Sequence, residues 1–268
     1  MRSSPSDDHA PRALPPELAD ALGRARPRLG RLGGRSQFFD TIGSTNDAAA
    51  ALATEGAVVV ADRQTAGRGR RGRSWFSPPG SGLYVSVVLM PRSARVDPDR
   101  ATAVLTLAAG VALVEGVERA TGLRADLKWP NDLYVQRRKL GGILAEADMP
   151  AVTLGYGINV GPMAYPPELS DRATSLEAEL GRPIDRALVF AETLAALAAR
   201  YDDLLDGRID AILDAWRSRA PGHRGALVSW TAGSERTGTT AGIDEYGALL
   251  VRTEGRVERI VAGELKWL

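Results

Sequence analysis

The sequence predicts an α+β protein: a helix-and-sheet domain over residues 37–221, followed by a small β-barrel over 222–268. Three observations carry this expectation. Short β-branched runs bounded by Gly, Pro and Asp recur through the first part of the chain. Two long apolar segments with N-cap residues stand among them. After Pro221-Gly222 the pattern changes to strands punctuated by glycine, which suits a small barrel.

In chain order, residues 1–36 hold five Pro and seven Arg and predict a loosely ordered extension, with a helix-capable piece near 17–22. An independent module needs about 55–65 residues, so no such module fits here. Ser44, Thr45, Asn46 and Asp47 offer N-caps to a helix over 48–54, which Gly56 stops. Residues 57–61 suit a buried strand, 63–73 form an Arg/Gly loop, and 83–90 are strand-like. Asp97-Pro98 opens a long apolar helix to about 120, with Gly122 beyond its end. Strands follow near 124–129, 132–136, 140–146 and 152–160. Asp185 caps a helix to about 205, and a second helix covers 210–217. The tail strands fall near 226–230, 237–243, 248–252 and 257–261.

Composition narrows the chemistry. The 268 residues include no Cys, which excludes disulfides, thiolate metal sites and Cys nucleophiles. Only His9 and His223 are present, which disfavours a His-based triad or a His-rich metal site. A net charge of +1 supplies no global field for nucleic acid. The chain is rich in Arg, yet it keeps three Lys (Lys128, Lys139, Lys266) and three Asn (Asn46, Asn131, Asn159), pointing to work that Arg, Ser or Asp cannot do. No apolar run of the roughly 18–20 residues needed for a span is evident, and no secretory signal is evident either. The expectation is a soluble, cytoplasmic protein without membrane partners.

Five clusters carry candidate chemistry. Gly67-Arg68-Gly69-Arg70-Arg71-Gly72 matches the dinucleotide fingerprint in letters only. Pro78-Pro79-Gly80 follows shortly, and no acid lies between Arg63 and Val96 to bind a ribose. Five Arg among three Gly suit an anion-binding loop, mobile until occupied; the alternatives are a solvated basic loop or a non-specific nucleic-acid contact. Lys128-Trp129-Pro130-Asn131-Asp132 places a cation, an amide and a carboxylate on one turn, or is simply a packed Asn-Asp turn. Lys139-Leu140-Gly141-Gly142 and Gly155-Tyr156-Gly157-Ile158-Asn159 are strands with bare positions, open to a ligand or serving as bulges. Ser44-Thr45-Asn46 is a helix cap or a polar reader of an amide-like group.

Taken in order, these stretches resemble the biotin–protein ligases. The resemblance extends through Gly43–Asn46, Gln64–Trp75, Leu127–Asp132, Lys139–Glu146, Gly155–Val160 and Ala173–Leu176, covering roughly 40–265. It implies a mixed, largely antiparallel sheet with flanking helices, related to the class II aminoacyl-tRNA synthetases, plus the small barrel. Residues 1–36 cannot supply the winged helix of the repressor-type members, so the resemblance is to the monofunctional class. The implied reaction is ATP-dependent. Biotin becomes biotinyl-5′-AMP and is passed to a lysine of the biotin carboxyl carrier protein of a carboxylase, by a monomer or weak homodimer.

By the same resemblance, Ser44, Thr45, Asn46, Gln64, Gly67, Arg68, Gly69, Arg70, Lys139, Gly142 and Gly157 would hold biotin. Arg73, Trp75, Lys128, Asn131, Asp132 and Asn159 would hold ATP, with Asp132 near Mg²⁺. Lys139 and Arg70 would be catalytic. A carboxylate is already ionised at neutral pH, so its attack needs positioning and charge neutralisation rather than a His or Cys base. The competing expectations are a lipoate- or octanoate-type ligase on the same fold, a non-enzymatic nucleic-acid binder using the Arg loop, and a non-catalytic biotin sensor.

Overall fold

The computed structural model describes residues 10–162, 165–232, 234–263 and 265–268. Pro16 opens helix α1 (Pro16–Ala25), whose Leu18, Ala21, Leu22 and Ala25 recur at helical spacing and are buried. Leu29 and Leu32 continue this buried line. Arg12 exchanges two backbone hydrogen bonds with Phe38, at 2.8 and 2.9 Å. The expected loose extension is therefore corrected over residues 10–36, which form part of the core. Its Pro and Arg content conceals one apolar helical stripe, whose partner lies far along the chain.

Strands β1 (Ser36–Ile42) and β2 (Val58–Gln64) are joined by helix α2 (Thr45–Leu52) and pair in parallel. Ala53, in the left-handed region, ends α2 ahead of Gly56. Strand β3 (Gly82–Leu89) precedes helix α3 (Pro98–Thr121), which Asp97 caps by accepting from the Arg100 amide and Gly122 terminates. Strands β4 (Asp126–Lys128), β5 (Asp132–Val135), β6 (Arg138–Asp148) and β7 (Ala151–Asn159) follow. They complete a seven-stranded sheet of order β1-β2-β3-β7-β6-β5-β4, antiparallel apart from β1/β2.

Short helices α4 (Pro167–Ser170) and α5 (Leu176–Leu180) lead to α6 (Arg186–Leu205) and α7 (Ile209–Arg219). Helices α1, α3, α6 and α7 pack together on one face of the sheet, and the Arg28–Glu192 fork ties the N-terminal segment to α6 at 2.8 and 2.6 Å. Helix α3 has the length and apolar composition of a membrane span, which corrects the expectation that no such run exists. Most of it is buried inside the protein, as befits a core helix. Helix α2 packs on the opposite face, over Phe39, Ala57, Val59, Ala61 and Val88.

The C-terminal strands β8 (Arg224–Ala232), β9 (Ser234–Ile243), β10 (Leu249–Thr253), β11 (Arg256–Ile260) and β12 (Leu265–Trp267) form an antiparallel sheet of order β11-β10-β9-β8-β12. The expected closed barrel is corrected: among the described residues β11 and β12 are separate edges and the sheet stays open. It shares one apolar core with the larger sheet, through Val228, Trp230, Leu249 and Val251 beside Trp129 and Trp216. Trp129 Nε1 donates to the Gly247 carbonyl (2.9 Å), and Arg100 Nε donates to that of Glu245 (2.7 Å).

Leu18→Ala should lower unfolding free energy by about 2–5 kcal/mol, as buried leucine truncations do. Urea denaturation measures this, and a loss under about 1 kcal/mol would place α1 outside the cooperative core.

Candidate active site

Strand β7 is the central wall of the site. Val152, Leu154, Tyr156 and Ile158 join the helix-side core, so Thr153, Gly155, Gly157 and Asn159 face the α2 side. Register places Ser86, Gly155 and Leu144 in one row across the sheet, and Tyr84, Gly157 and Gly142 in the next. The bare positions have a physical cause. A Cβ on Gly155 would run into the Asn46 carboxamide, and one on Gly157 would lie 2.5 Å from Trp75 Nε1.

The start of α2 supplies a buried polar network. Ser44 sits at the N-cap position, but its side chain makes no cap hydrogen bond. The Thr45 amide and hydroxyl donate to Gln64 Oε1 at 2.9 and 3.0 Å, and Gln64 Nε2 donates to Ser77 Oγ at 3.0 Å. The Ser86 hydroxyl donates to Asn46 Oδ1 (2.6 Å) and lies 2.8 Å from Thr45 Oγ1. Asn46 Nδ2 donates to Glu146 (2.6 Å). These bonds orient the Asn46 and Gln64 amides, which isolated side chains could not do.

The Arg/Gly loop is a folded hairpin. The Gly69 amide donates to the Arg73 carbonyl (2.7 Å), and the Trp75 amide donates to that of Gly67 (2.8 Å). Gly72 takes the left-handed turn at φ 74°, next to Arg71 at φ 59°. Arg68 donates to Asp47 at 2.9 and 2.7 Å and to Glu146 at 2.9 Å. These bonds raise the Arg68 guanidinium above its usual value, and the Arg68 bond holds the Asp47 carboxyl below the ordinary range. Burial pulls the Arg70 guanidinium down, while the charge of Asp132 works the other way. An Arg remains protonated throughout, so Arg70 is a desolvated cation.

The turn between β4 and β5 contains a cis Trp129–Pro130 peptide. Asn131 is bonded to β6 through its side chain and its carbonyl, at 2.6 Å to the Ile143 carbonyl and 2.9 Å from the Ile143 amide. Lys139 Nζ lies 2.6 Å from Asp132 and 5.3 Å from the centre of the Trp75 ring. The Lys139 backbone is clamped: its amide donates to the Arg172 carbonyl (2.8 Å), and its carbonyl accepts from the Thr174 amide (3.0 Å). Asn159 Nδ2 donates to the Thr174 carbonyl (2.9 Å). Lys128 sits 5.2 Å from the centre of the Tyr134 ring and 5.1 Å from that of Trp267.

All the residues predicted for the site line one cleft of about 570 Å³, with the exception of Gly67, whose backbone lies beneath Trp75 and Ser77. Sequence reasoning passed over Ser86 and gave no site role to Asp47, an N-cap candidate, or to Glu146, the end of a motif stretch, yet these residues orient the polar end. It also passed over Arg172 and Trp267 and gave the singled-out Lys266 no role, though all three wall the cleft. Ser86 carried a signal, a lone serine in an otherwise apolar strand. Trp267 carried none, because its place depends on how the second sheet docks.

Trp75 Nε1 is buried and lacks a hydrogen-bond partner among the described residues. Such a donor costs about 1–3 kcal/mol unless an acceptor arrives. Those residues contain no group of three or more His, Asp or Glu able to hold a metal. Asp132 thus fits only an ion brought in with a nucleotide, for Mg²⁺ is commonly held by one or two carboxylates together with substrate phosphates.

Residues 38–161 match the biotin/lipoate A/B protein ligase family and residues 231–265 the biotin protein ligase C-terminal domain. The bifunctional ligase/repressor BirA of Bacillus subtilis is 38% identical over 85% of this chain and 73% of its own length. The biotin–[acetyl-CoA-carboxylase] ligase of Mycobacterium tuberculosis is 35% identical over 83% of this chain and 85% of its own. The Aquifex aeolicus biotin protein ligase, solved in complex with biotin and ATP, superposes with a TM-score of 0.76 at 31% identity. That superposition covers 88% of this chain and 99% of the other. The chain belongs to the biotin protein ligase family.

Gly157→Ala should displace the Trp75 indole at a cost of about 1–3 kcal/mol, the usual penalty of overpacking. A shift in tryptophan emission with a lowered melting temperature checks this; an unchanged spectrum would place the indole elsewhere.

Proposed function

We propose that this chain activates biotin with ATP and transfers it to a lysine of a biotin carboxyl carrier domain, with the cleft residues in the following roles. The observation that carries the reading is the placement of Lys139. Its ammonium stands between Asp132 and the Trp75 ring, in the same cleft as the Ser44–Asn46 network and Asn159.

In the first step a biotin carboxylate oxygen attacks the α-phosphorus of ATP. A P–O bond forms, and pyrophosphate leaves with the electrons of the broken one. Two anions must meet, so the chain's contribution is cationic. Lys139 sits between carboxylate and α-phosphate, and the desolvated Arg70 closes over them from the loop. Thr45, Asn46 and Gln64 read the ureido ring, backed by Ser44. Gly142 and Gly157 leave room for the ligand, and Gly67 and Gly69 shape the loop.

Arg73, Trp75, Lys128, Asn131 and Asn159 hold the nucleotide, and the orphaned Trp75 N–H supports an acceptor there. Asp132 would hold the Mg²⁺ that accompanies ATP, which when bound neutralises phosphate charge.

In the second step the carrier lysine's amine attacks the acyl carbon, AMP leaves and the amine loses a proton. Burial pushes the Tyr165 phenol up to about 12. It therefore stays protonated, donating to the Thr174 carbonyl, and is no base for that proton.

Biotin-dependent ATP–pyrophosphate exchange tests the activity, with lipoate in a parallel reaction. Exchange with biotin alone is expected, and exchange with lipoate alone would transfer the assignment to the other branch of the family. Lys139→Ala should slow exchange about 10²–10³-fold or more, as removal of one electrostatic contact to the reacting group does, with unchanged circular dichroism. Near-normal exchange would remove Lys139 from the mechanism.

A further inference from the structure

Arg68 lies in the loop that covers the cleft, yet its side chain is already engaged. Its two terminal nitrogens reach both oxygens of Asp47 on α2, and one of them also reaches Glu146 on β6. Two carboxylates against one guanidinium leave this cluster with a net negative charge. A carboxylate or phosphate approaching Arg68 would meet repulsion, whereas Arg70 and Lys139, deeper in the cleft, attract it. The same Glu146 oxygen accepts from Asn46 Nδ2 at 2.6 Å, so one carboxylate orients both the loop arginine and the buried amide. Asp47 and Glu146 come from different elements, and both meet the loop at Arg68.

We infer that Asp47 and Glu146 are positioning residues that fasten the Arg/Gly loop across the biotin end of the cleft, and that the Arg68 side chain is the loop's fastener rather than a ligand of the substrate's carboxylate. The inference rests on the biotin-ligase reading for its kinetic consequence but not for its structural one. Five Arg within 63–73 make the loop a trypsin substrate whenever it lifts, so its cutting rate reports the fastening in the empty protein. The bidentate geometry and the three-element network distinguish this cluster from an ordinary surface ion pair.

The two hypotheses for Arg68 predict opposite signs. If Arg68 bound the biotin carboxylate, removing its two competitors would free it and lower the KM for biotin. If it fastens the loop, removing them raises that KM. The test compares the wild type, Asp47→Asn, Glu146→Gln, the double variant, and the charge-conserving Asp47→Glu. In the double variant we expect trypsin to cut within residues 68–73 several-fold faster, with the cut sites mapped by mass spectrometry. The KM for biotin should rise about tenfold, as loss of charged hydrogen bonds commonly entails. The KM for ATP should move less, because Asn46 lies at the biotin end, and Asp47→Glu should stay near wild type on both measures.

An unchanged or lowered KM for biotin, or an unchanged cutting rate, overturns the inference. Absence of biotin-dependent exchange in the wild type would instead refute the biotin reading, leaving the proteolysis comparison to decide the fastening. The single variants carry the test should the double variant fold poorly.

Discussion

Strand β7 is buried on both faces, and its two faces have opposite jobs. Even-numbered residues from Val152 to Ile158 anchor the helices, while Gly155 and Gly157 keep the other face low enough for Asn46 and Trp75 to reach the backbone. A side chain at either position would collide with the Asn46 carboxamide or the Trp75 indole. The register with β3 and β6 carries the constraint outward, placing Ser86 and Gly142 beside the same bare positions. A one-residue slip would turn every apolar anchor into the cleft and every glycine into the core.

The second organising feature is how cations are distributed along this cleft. Arg68 is engaged by Asp47 and Glu146, Lys139 is paired with Asp132, and Arg70 is half-buried with Asp132 as the carboxylate whose charge acts on it. The charge at the start of the loop is thus offset by carboxylates, while Arg70 and Lys139 set two positive charges against the one carboxylate of Asp132. That arrangement suits the meeting of two anions, and it accounts for an active site with no His or Cys. It also argues against the basic-loop nucleic-acid reading, since part of the apparent charge is spent within the protein.

The C-terminal sheet is more than an appendage. It brings Trp267 and Lys266 to the cleft, and Trp267 with Tyr134 brackets Lys128 on the motif turn. Because Trp129 of the same turn bonds to Gly247, both sheets hold one segment from two sides. The N-terminal segment stabilises from the opposite pole, through apolar burial against α6 and the Arg28–Glu192 fork.

Local signals in the sequence determined a good deal. Asp97 and Gly122 bounded α3, Asp185 opened α6, and alternating glycines marked β7 as a strand with one bare face. The motif residues, read in order, indicated the site and the family. These features depend on neighbours a few residues apart, where capping and side-chain periodicity act. Tertiary structure alone decided the rest. The packing of 10–36 waited on α6, the open form of the C-terminal sheet on edge pairing, and the engagement of Arg68 on carboxylates 21 and 78 residues away. The charge a guanidinium offers to a ligand is set by what surrounds it in space, and sequence proximity does not encode that.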